Sequence, residues 1–479
     1  MSPTSLPEGW HIPLTQWFTV QLITGTTVAF TSASSPWRNA AALLAFATAY
    51  SVQLSAQQYL PGTRFGAPIV AMCWINVLNA IDLLVLSRAS YEAQQDYDSK
   101  ANLSPNSTAS KSPPNPSLLE RYIWSLALTF NYRRINTPWQ IRSLPAFNPQ
   151  NPTYAPSRTS FLLTSLTKLI CSVAIIHIFT IETSDPYLTH AVTHLPTKPE
   201  EILLPFLYHP STTTLGWKRD LILRTLFTLS FGIIARATIV AGYTLFAVLS
   251  VGSGLQQPRM WPPVEGGIWE AGWCLRGFWG YVSSSFSLLP SSFLTPLLSY
   301  IQFALLPLYL DQYPYDLTHH KNNHNNNTNK SDRKSWHQTL RALLVSNADF
   351  LSSTLHIPAA LRTSFRFVFC FVASGLVHLL MDVGFGVSLS ESGALWFFSL
   401  QVVGILLEVL VGRCLGKGMW MEDGNAKGKG WMRKAVGFVW VAGFMLWTVP
   451  VWVNPILRRL YLDGVRMMSP FLGFSGWEI

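Results

Sequence analysis

Residues 366–386 have the sequence RFVFCFVASGLVHLLMDVGFG, and this stretch decides the fold class. An α-helix needs about 20 predominantly apolar residues to cross the hydrocarbon core of a bilayer, and this run is long enough. Similar apolar runs, the first two weaker than the others, lie at 14–33, 38–55, 68–86, 160–181, 221–251, 394–412 and 435–454. The sequence therefore predicts an all-α integral membrane protein, a polytopic helical bundle of roughly 8–10 transmembrane helices.

Two apolar runs leave alternatives open. The 221–251 run is longer than one span and contains Arg236, so it is either one tilted helix or a bent pair. The 286–310 run carries Pro290, Pro296 and Pro307, which is typical of a kinked span or of a re-entrant segment.

The composition agrees with a membrane protein and excludes an ordinary soluble chain. Hydrophobic residues make up 49% of the 479 residues, whereas charged residues make up only 12%. Soluble domains usually carry roughly 25% charged residues. The formal net charge of +10 comes mostly from basic residues in short loops, which set orientation and meet anionic lipid headgroups. We therefore predict membrane lipid, and no nucleic acid, as a partner.

Polar segments divide the chain into five parts. Residues 1–86 hold N-terminal transmembrane helices, and residues 87–159 combine a flexible Pro/Ser/Asn-rich loop with a segment rich in Arg and Trp. Residues 160–280 hold further transmembrane helices and a Trp/Gly-rich interfacial segment. Residues 281–334 contain an Asn-rich tract, and residues 335–479 contain the last helices, including the 366–386 stretch.

No metal site is predicted. The five cysteines lack the spacing of metal ligands. The Asn-rich tract carries His319, His320 and His324, but its composition is typical of a disordered segment.

His378 is the most informative residue of the 366–386 stretch. An ionisable group in an apolar span is costly and usually faces a protein interior or a wet cavity. Ser374 and Asp382, four positions to either side, share its helical face, and Gly375 permits close approach of a helix or ligand. A neutral imidazole can accept a proton from an alcohol, so His378 is a candidate general base. A histidine that only bonds between helices is the alternative.

Two earlier segments are further candidates. The Trp/Gly-rich run 258–280, which contains Arg276, is either an aromatic belt at the membrane interface or a cytosol-facing wall of a substrate entrance. Residues 335–344, SWHQTLRALL, have the spacing of a membrane-surface helix with His337 and Arg341 on one face.

Five motifs, taken in order, resemble landmarks of the wax synthase-like branch of the membrane-bound O-acyltransferase family, of the fungal secondary-metabolite acetyltransferase type. They are NYRRINTPWQIRSLP at 131–145, RGFWG at 276–280, WHQTLR at 336–341, FVASGLVH at 371–378 and FFSLQVVGILLE at 397–408. No single motif is specific, whereas the ordered set covers most of the chain and is specific.

The resemblance implies transfer of an acyl group from acyl-CoA to a hydroxyl in a tunnel between helices. His378 matches the family's histidine, the base that deprotonates the acceptor. His337 matches a second polar position, which orients the acceptor or stabilises the oxyanion. Five arginines are candidates for binding the phosphates of the coenzyme, with positive-inside residues as the alternative: Arg133, Arg134, Arg142, Arg276 and Arg341. Acetyl-CoA or another acyl-CoA is then a co-substrate, and no permanently bound cofactor is implied.

The sequence departs from the family pattern at two places. The resemblance leads us to expect the FWG run almost directly before WHQ, whereas here residues 281–334 intervene as an atypical insertion, either native or a gene-model artefact. If its 286–310 run crosses the membrane alone, His337 lies on the wrong side. The resemblance also leads us to expect small glycines where this chain has Arg134 and Asn136.

The leading hypothesis is a multi-pass acyltransferase of a fungal endoplasmic reticulum that acetylates a terpenoid or meroterpenoid hydroxyl. A wax synthase acting on a long-chain alcohol is the alternative within the family. The partners of the acyltransferase would be acyl-CoA, the hydrophobic alcohol and pathway enzymes. From another class, a proton-coupled transporter would use His378, Asp382 and Glu408 as a relay. A paralogue inactivated by the insertion is the third hypothesis.

Overall fold

The computed structural model describes residues 8–60, 66–102, 117–141, 144–148, 151, 154–179, 192–204, 214–263, 274–275, 278, 338–414 and 430–462. Every regular element in these ranges is helical. The α-helices are α1 (His11–Phe30), α2 (Trp37–Tyr59), α3 (Gly66–Ile81), α4 (Tyr91–Asn102), α5 (Leu118–Phe130), α6 (Arg158–Phe179), α7 (Pro199–Leu203), α8 (Thr214–Gly252), α9 (Gln338–Thr354), α10 (Ala359–Gly384), α11 (Ala394–Cys414) and α12 (Gly430–Leu462). A π-helical turn, Asp82–Leu86, continues α3, and a 3-10 turn, Pro258–Met260, follows α8.

The predicted all-α membrane fold is confirmed. Within the described ranges, six helical stretches are long and apolar enough to span a bilayer: Gly66–Leu86, Arg158–Phe179, Asp220–Gly252, Leu361–Gly384, Ala394–Val411 and Lys434–Leu460. The two weakest predicted runs form α1 and α2, which are helices but do not reach that threshold. The 221–251 run belongs to one continuous helix, α8, so the bent pair is wrong. The predicted 286–310 run and the rest of the 281–334 insertion lie outside the described residues.

Local sequence signals explain where several helices begin or bend. At the start of α5, the hydroxyl of Ser117 accepts the Glu120 N–H and the Glu120 carboxylate accepts the Ser117 N–H, a reciprocal capping box. Inside α12, Pro450 and Pro455 interrupt the helical hydrogen bonds. Since Pro455 has no N–H, the carbonyl of Val451 lacks its usual helical donor.

The described helices pack around two large apolar cores, and two smaller apolar clusters lie between α6 and α8. In the first core α1 packs against α2 and α5, and α2 packs against α3, with Val20, Val77 and Leu128 in its interior. In the second, α10 packs against α9 and α11, and α12 packs against α8 and α11. Phe371 and Trp452 lie in that second core.

Helix α3 joins the two cores because it also packs against α10. A Cβ built on Gly384 would lie 3.0 Å from the Cα of Ala67, so small residues allow this close approach.

Candidate active site

His378 lies on α10 where aromatic side chains of three other helices converge. Its imidazole stacks on Phe398 of α11, with ring centroids 5.1 Å apart and planes inclined by 9°. The indole of Trp452 on α12 meets it at 4.6 Å and 62°. Phe397 stacks on that indole at 5.6 Å, and Phe231 of α8 meets its edge at 5.4 Å. We call His378 and these four residues the aromatic chamber.

Two polar atoms on this face of α10 have no hydrogen-bond partner among the described residues. They are Nδ1 of His378 and Oγ of Ser374, both buried. A serine inside a helix usually bonds back to a carbonyl three or four residues earlier, as Ser125 and Ser352 do here. Buried unsatisfied polar atoms are uncommon in native proteins, and each requires an explanation. A hydrogen-bonding ligand between Ser374 and His378 would satisfy both.

Asp382 continues the predicted face, but it does not bond to His378. Its side chain is fully buried, and its Oδ2 accepts the hydroxyl of Ser392 at 2.6 Å. Its Oδ1 accepts the indole N–H of Trp452 at 3.1 Å. The carboxylate therefore fixes the indole that packs against the imidazole.

Glu408, the third member of the hypothetical proton relay, lies elsewhere. Its Oε1 accepts the backbone N–H of Leu275 at 2.5 Å and the indole N–H of Trp440 at 2.8 Å. Asp382 bonds to Ser392, just before α11 begins. Glu408 lies about 21 Å further along α11, at 1.5 Å per residue. The structure brings His378 and Asp382 together and leaves Glu408 apart.

Arg134 is buried in an ion pair beside α3. Its Nη2 donates to Asp82 at 2.6 Å and to Asn79 at 2.8 Å, and its exposed fraction is 1%. Its φ is +53°, and that of Asn136 is +58°. Glycine adopts this left-handed region without strain, which gives a physical reason for the small residues expected at these two positions. Contact between Arg134 and the coenzyme stays a prediction. The guanidinium of Arg134 already bonds to Asp82 and Asn79.

Arg133 points the other way, towards the end of α8. It donates to the carbonyls of Pro262 and Pro263, both at 3.0 Å, and to the hydroxyl of Tyr243 at 2.7 Å. Its guanidinium also lies over the Tyr243 ring. Arg133 and Arg134 thus fasten the NYRRINTPWQ segment to two different helices.

The remaining predicted site residues are only partly within the described part of the chain. His337, Arg142 and Arg276 lie outside it. Arg341 lies in the first turn of α9, which confirms a helix for this segment and extends it to Thr354.

Sequence reasoning missed the role of Trp452 beside His378. The run 435–454 contains several tryptophans, and only the tertiary contact distinguishes this one. Phe397 and Phe398, by contrast, belong to a motif already singled out, FFSLQVVGILLE.

Comparison with known proteins finds a family match over the segment that carries His378. Residues 333–400, which include His378 and Phe398, match the family described as membrane bound O-acyl transferase. Over these residues the chain is similar to that family.

Several curated relatives of this chain are named acetyltransferases. Acetyltransferase spyB of Aspergillus fumigatus is 24% identical over 360 residues, 72% of this chain and 49% of the relative. Acetyltransferase atnC of Arthrinium sp is 23% identical over 354 residues, 73% and 66% of the two chains. Acetyltransferase aurG of Calcarisporium arbuscula is 24% identical over 401 residues, 80% and 77%. The chain thus spans about half the length of the first relative and about two thirds of the second. No solved structure matches it.

Proposed function

We propose that this chain is an acyl-CoA-dependent O-acyltransferase in which His378 is the general base. The observation that carries the proposal is the buried Nδ1 of His378, which has no partner among the described residues and lies in the segment that matches the family. An imidazole nitrogen without a hydrogen bond can accept a proton from an alcohol held within about 3 Å.

The reaction follows from the chemistry of a base beside a thioester. Nδ1 of His378 takes the proton of the acceptor hydroxyl while the oxygen of that hydroxyl attacks the thioester carbonyl carbon. The C–S bond then breaks, the ester is released, and the coenzyme thiolate receives the proton from the imidazolium as it leaves. The buried hydroxyl of Ser374 is available to donate a hydrogen bond to the oxygen that gains charge during the attack.

The other predicted site residues take supporting roles in this proposal. His337 orients the acceptor or stabilises the oxyanion, as the family resemblance implies. Arg142, Arg276 and Arg341 attract the phosphates of the coenzyme. Arg133 and Arg134, whose guanidiniums are already bonded within the protein, add only positive charge to that attraction. These roles stay predictions, and the order of importance among the arginines is open to mutagenesis.

For the substrates, we propose acetyl-CoA as donor and a terpenoid or meroterpenoid alcohol as acceptor, in the endoplasmic reticulum. The relatives named acetyltransferases support an acetyl donor over a long-chain one. The aromatic chamber supports a hydrophobic acceptor because aromatic walls suit bulky apolar rings. A wax synthase would instead prefer palmitoyl-CoA and a straight-chain alcohol.

The test is acyl transfer by microsomes that contain the full chain. Radiolabelled acetyl-CoA or palmitoyl-CoA is supplied together with panels of terpenoid and long-chain alcohols. We expect a labelled acetyl ester of a terpenoid alcohol, and a loss of about 10²- to 10⁴-fold for His378→Ala, the usual contribution of a general base. His177→Ala is the matched control, since His177 is an exposed histidine near the end of another apolar helix. Equal turnover by the two variants, or no transfer by inserted wild-type protein, would overturn the proposal.

A further inference from the structure

Among the described residues, no carboxylate accepts a hydrogen bond from the imidazole of His378, which is the usual way to orient a catalytic histidine. In many enzymes a carboxylate accepts a hydrogen bond from one ring N–H, and that bond fixes the orientation of the ring. Asp382 lies one helical turn away and could be expected to do this. Both of its oxygens instead accept from other groups, Ser392 and Trp452, and Nδ1 of His378 has no partner among the described residues.

Aromatic side chains, rather than a hydrogen bond, hold the imidazole ring of His378. Phe398 covers one face of the imidazole nearly in parallel, and Trp452 packs against it at 4.6 Å. The exposed fraction of Trp452 is 1%, so its indole has little freedom to move. Since interiors are close-packed, a fixed indole limits the rotation of the imidazole.

The indole is itself fixed by Asp382. The hydrogen bond from Nε1 to the carboxylate joins α12 to α10, and the Ser392 hydroxyl holds the carboxylate from the turn before α11. An indole has a single N–H, which can reach Asp382 in only one of the two flipped orientations of the ring.

We infer that Asp382 and Trp452 form a positioning unit for His378, an inference that rests on the proposed function. The carboxylate orients the indole, the indole and Phe398 orient the imidazole, and Nδ1 is left free for the acceptor hydroxyl. Asp382 thus acts as a hydrogen-bond acceptor, not as a proton carrier or a charge paired with the histidine.

This role distinguishes two substitutions at Asp382. In Asp382→Asn, the amide oxygen can still accept the indole N–H, and the Ser392 hydroxyl can rotate to accept from the amide nitrogen. In Asp382→Leu, the side chain is similar in size but accepts nothing. A positioning role therefore predicts that Asn retains most of the wild-type kcat and that Leu does not. A proton relay or an essential charge predicts that both fail.

The chain also offers a matched control for Trp452. Trp440, on the same helix, donates its N–H to a carboxylate of α11 at 2.8 Å, but about 18 Å of helix separates it from Trp452. Phenylalanine at either position keeps an aromatic ring and removes one indole–carboxylate hydrogen bond.

The experiment measures kcat, the KM of each substrate and the folded fraction for Trp452→Phe, Trp440→Phe, Asp382→Asn and Asp382→Leu in the full chain. We expect kcat per folded molecule to fall about 10- to 100-fold for Trp452→Phe and Asp382→Leu, the effect of a misplaced reacting group, with an unchanged donor KM. Trp440→Phe and Asp382→Asn should stay near wild type. If Trp452→Phe matches Trp440→Phe, or if Asp382→Asn is as inactive as Asp382→Leu, the inference fails. If the wild type transfers no acyl group, the proposed function fails instead.

Discussion

Arg134 and His378 both place ionisable atoms in the interior, and the molecule surrounds them with opposite kinds of neighbour. Arg134 lies between α3 and α5 with a carboxylate and an amide oxygen on its Nη2, at 2.6 and 2.8 Å. His378 lies between α10, α11 and α12 with aromatic faces around it, and its Nδ1 has no partner in the part of the chain that the structure describes. We call Arg134, Asp82 and Asn79 the arginine node.

The difference separates a group that holds the fold from a group that awaits a ligand. A buried charge is stable only when it is paired, and Asp82 supplies that pairing for Arg134 without substrate, although Nε of Arg134 has no partner among the described residues. A buried imidazole nitrogen without a partner costs about 1–3 kcal/mol of stability and keeps one hydrogen bond available. The arginine node should therefore matter for stability, and the aromatic chamber should matter for turnover.

The largest stability effect should come from breaking the ion pair on one side. Asp82→Leu leaves the Arg134 guanidinium buried without its counter-charge, which typically costs about 3–5 kcal/mol. The melting temperature of the detergent-solubilised protein should fall steeply, whereas His378→Ala should melt near the wild type. The double variant Asp82→Leu, Arg134→Met removes both charges and should recover most of the loss. If the double variant melts no higher than Asp82→Leu, the ion pair is not the source of the stability of the arginine node.

The sequence predicts one side of this comparison better than the other. Apolar runs located the spanning helices, because period and length are local properties. The same stretch identified His378 and Ser374 as sharing a face, since an intact helix fixes that relation. The resemblance led us to expect glycines at 134 and 136, and the left-handed φ at both positions emerged only from the structure.

Partners that come from distant helices could not be predicted. The contact of Asp382 with Trp452 joins residues 70 positions apart, and the helical face alone favoured His378 as its neighbour. Likewise Arg134 bonds to Asp82, 52 positions earlier, and a loop arginine carries no local signal of burial. Packing between helices decides both cases, and a single sequence does not encode it in any local pattern.

The next effect should arise at the edge of the aromatic chamber. A Cβ on Gly393 would lie 1.8 Å from the carbonyl oxygen of Val451 and 3.1 Å from the backbone nitrogen of Trp452. Gly393→Ala must therefore displace the α12 backbone that carries the indole, at a cost of about 3 kcal/mol, the upper part of the usual range for overpacking. Turnover per folded molecule should fall as well, because His378 loses its wall.

Gly443→Ala is the control for Gly393→Ala, because Gly443 lies on α12, the helix that Gly393→Ala would displace. A Cβ on Gly443 meets nothing within 4 Å, so alanine there should be neutral or stabilise the helix by up to about 1 kcal/mol. Both variants are compared by melting temperature and by acetyl transfer corrected for folded protein. Equal behaviour of Gly393→Ala and Gly443→Ala would show that the chamber tolerates displacement of α12.

A smaller effect is expected beside the arginine node, at Asn136. Its φ of +58° suits asparagine and glycine, but a β-branched side chain there is strained. Asn136→Val should lose about 1–2 kcal/mol, the cost of a left-handed conformation, while Asn136→Gly should melt near the wild type. Neither change alters a charge, so the difference in melting temperature reports the backbone conformation alone. A valine variant as stable as the glycine variant would indicate that the segment rearranges freely.

The smallest effect should come from an ion pair at the surface of the same half of the molecule, Glu92 with Arg121. Burial raises the pKa of the Glu92 carboxyl, but hydrogen bonds from its own backbone N–H and from Arg121 lower it by more, so the net pKa lies below its usual value. A lowered pKa in the folded state means that the pair stabilises the protein above about pH 4 and loses its effect as the pH falls further. Because 56% of the Glu92 side chain is exposed, Glu92→Gln should lower stability by less than about 1 kcal/mol at pH 7. Melting curves of both proteins at pH 7 and at about pH 3 should therefore converge at the lower pH. If Glu92→Gln lowers the melting temperature as much as Asp82→Leu does, burial of the ion pair does not explain the stability that the arginine node contributes.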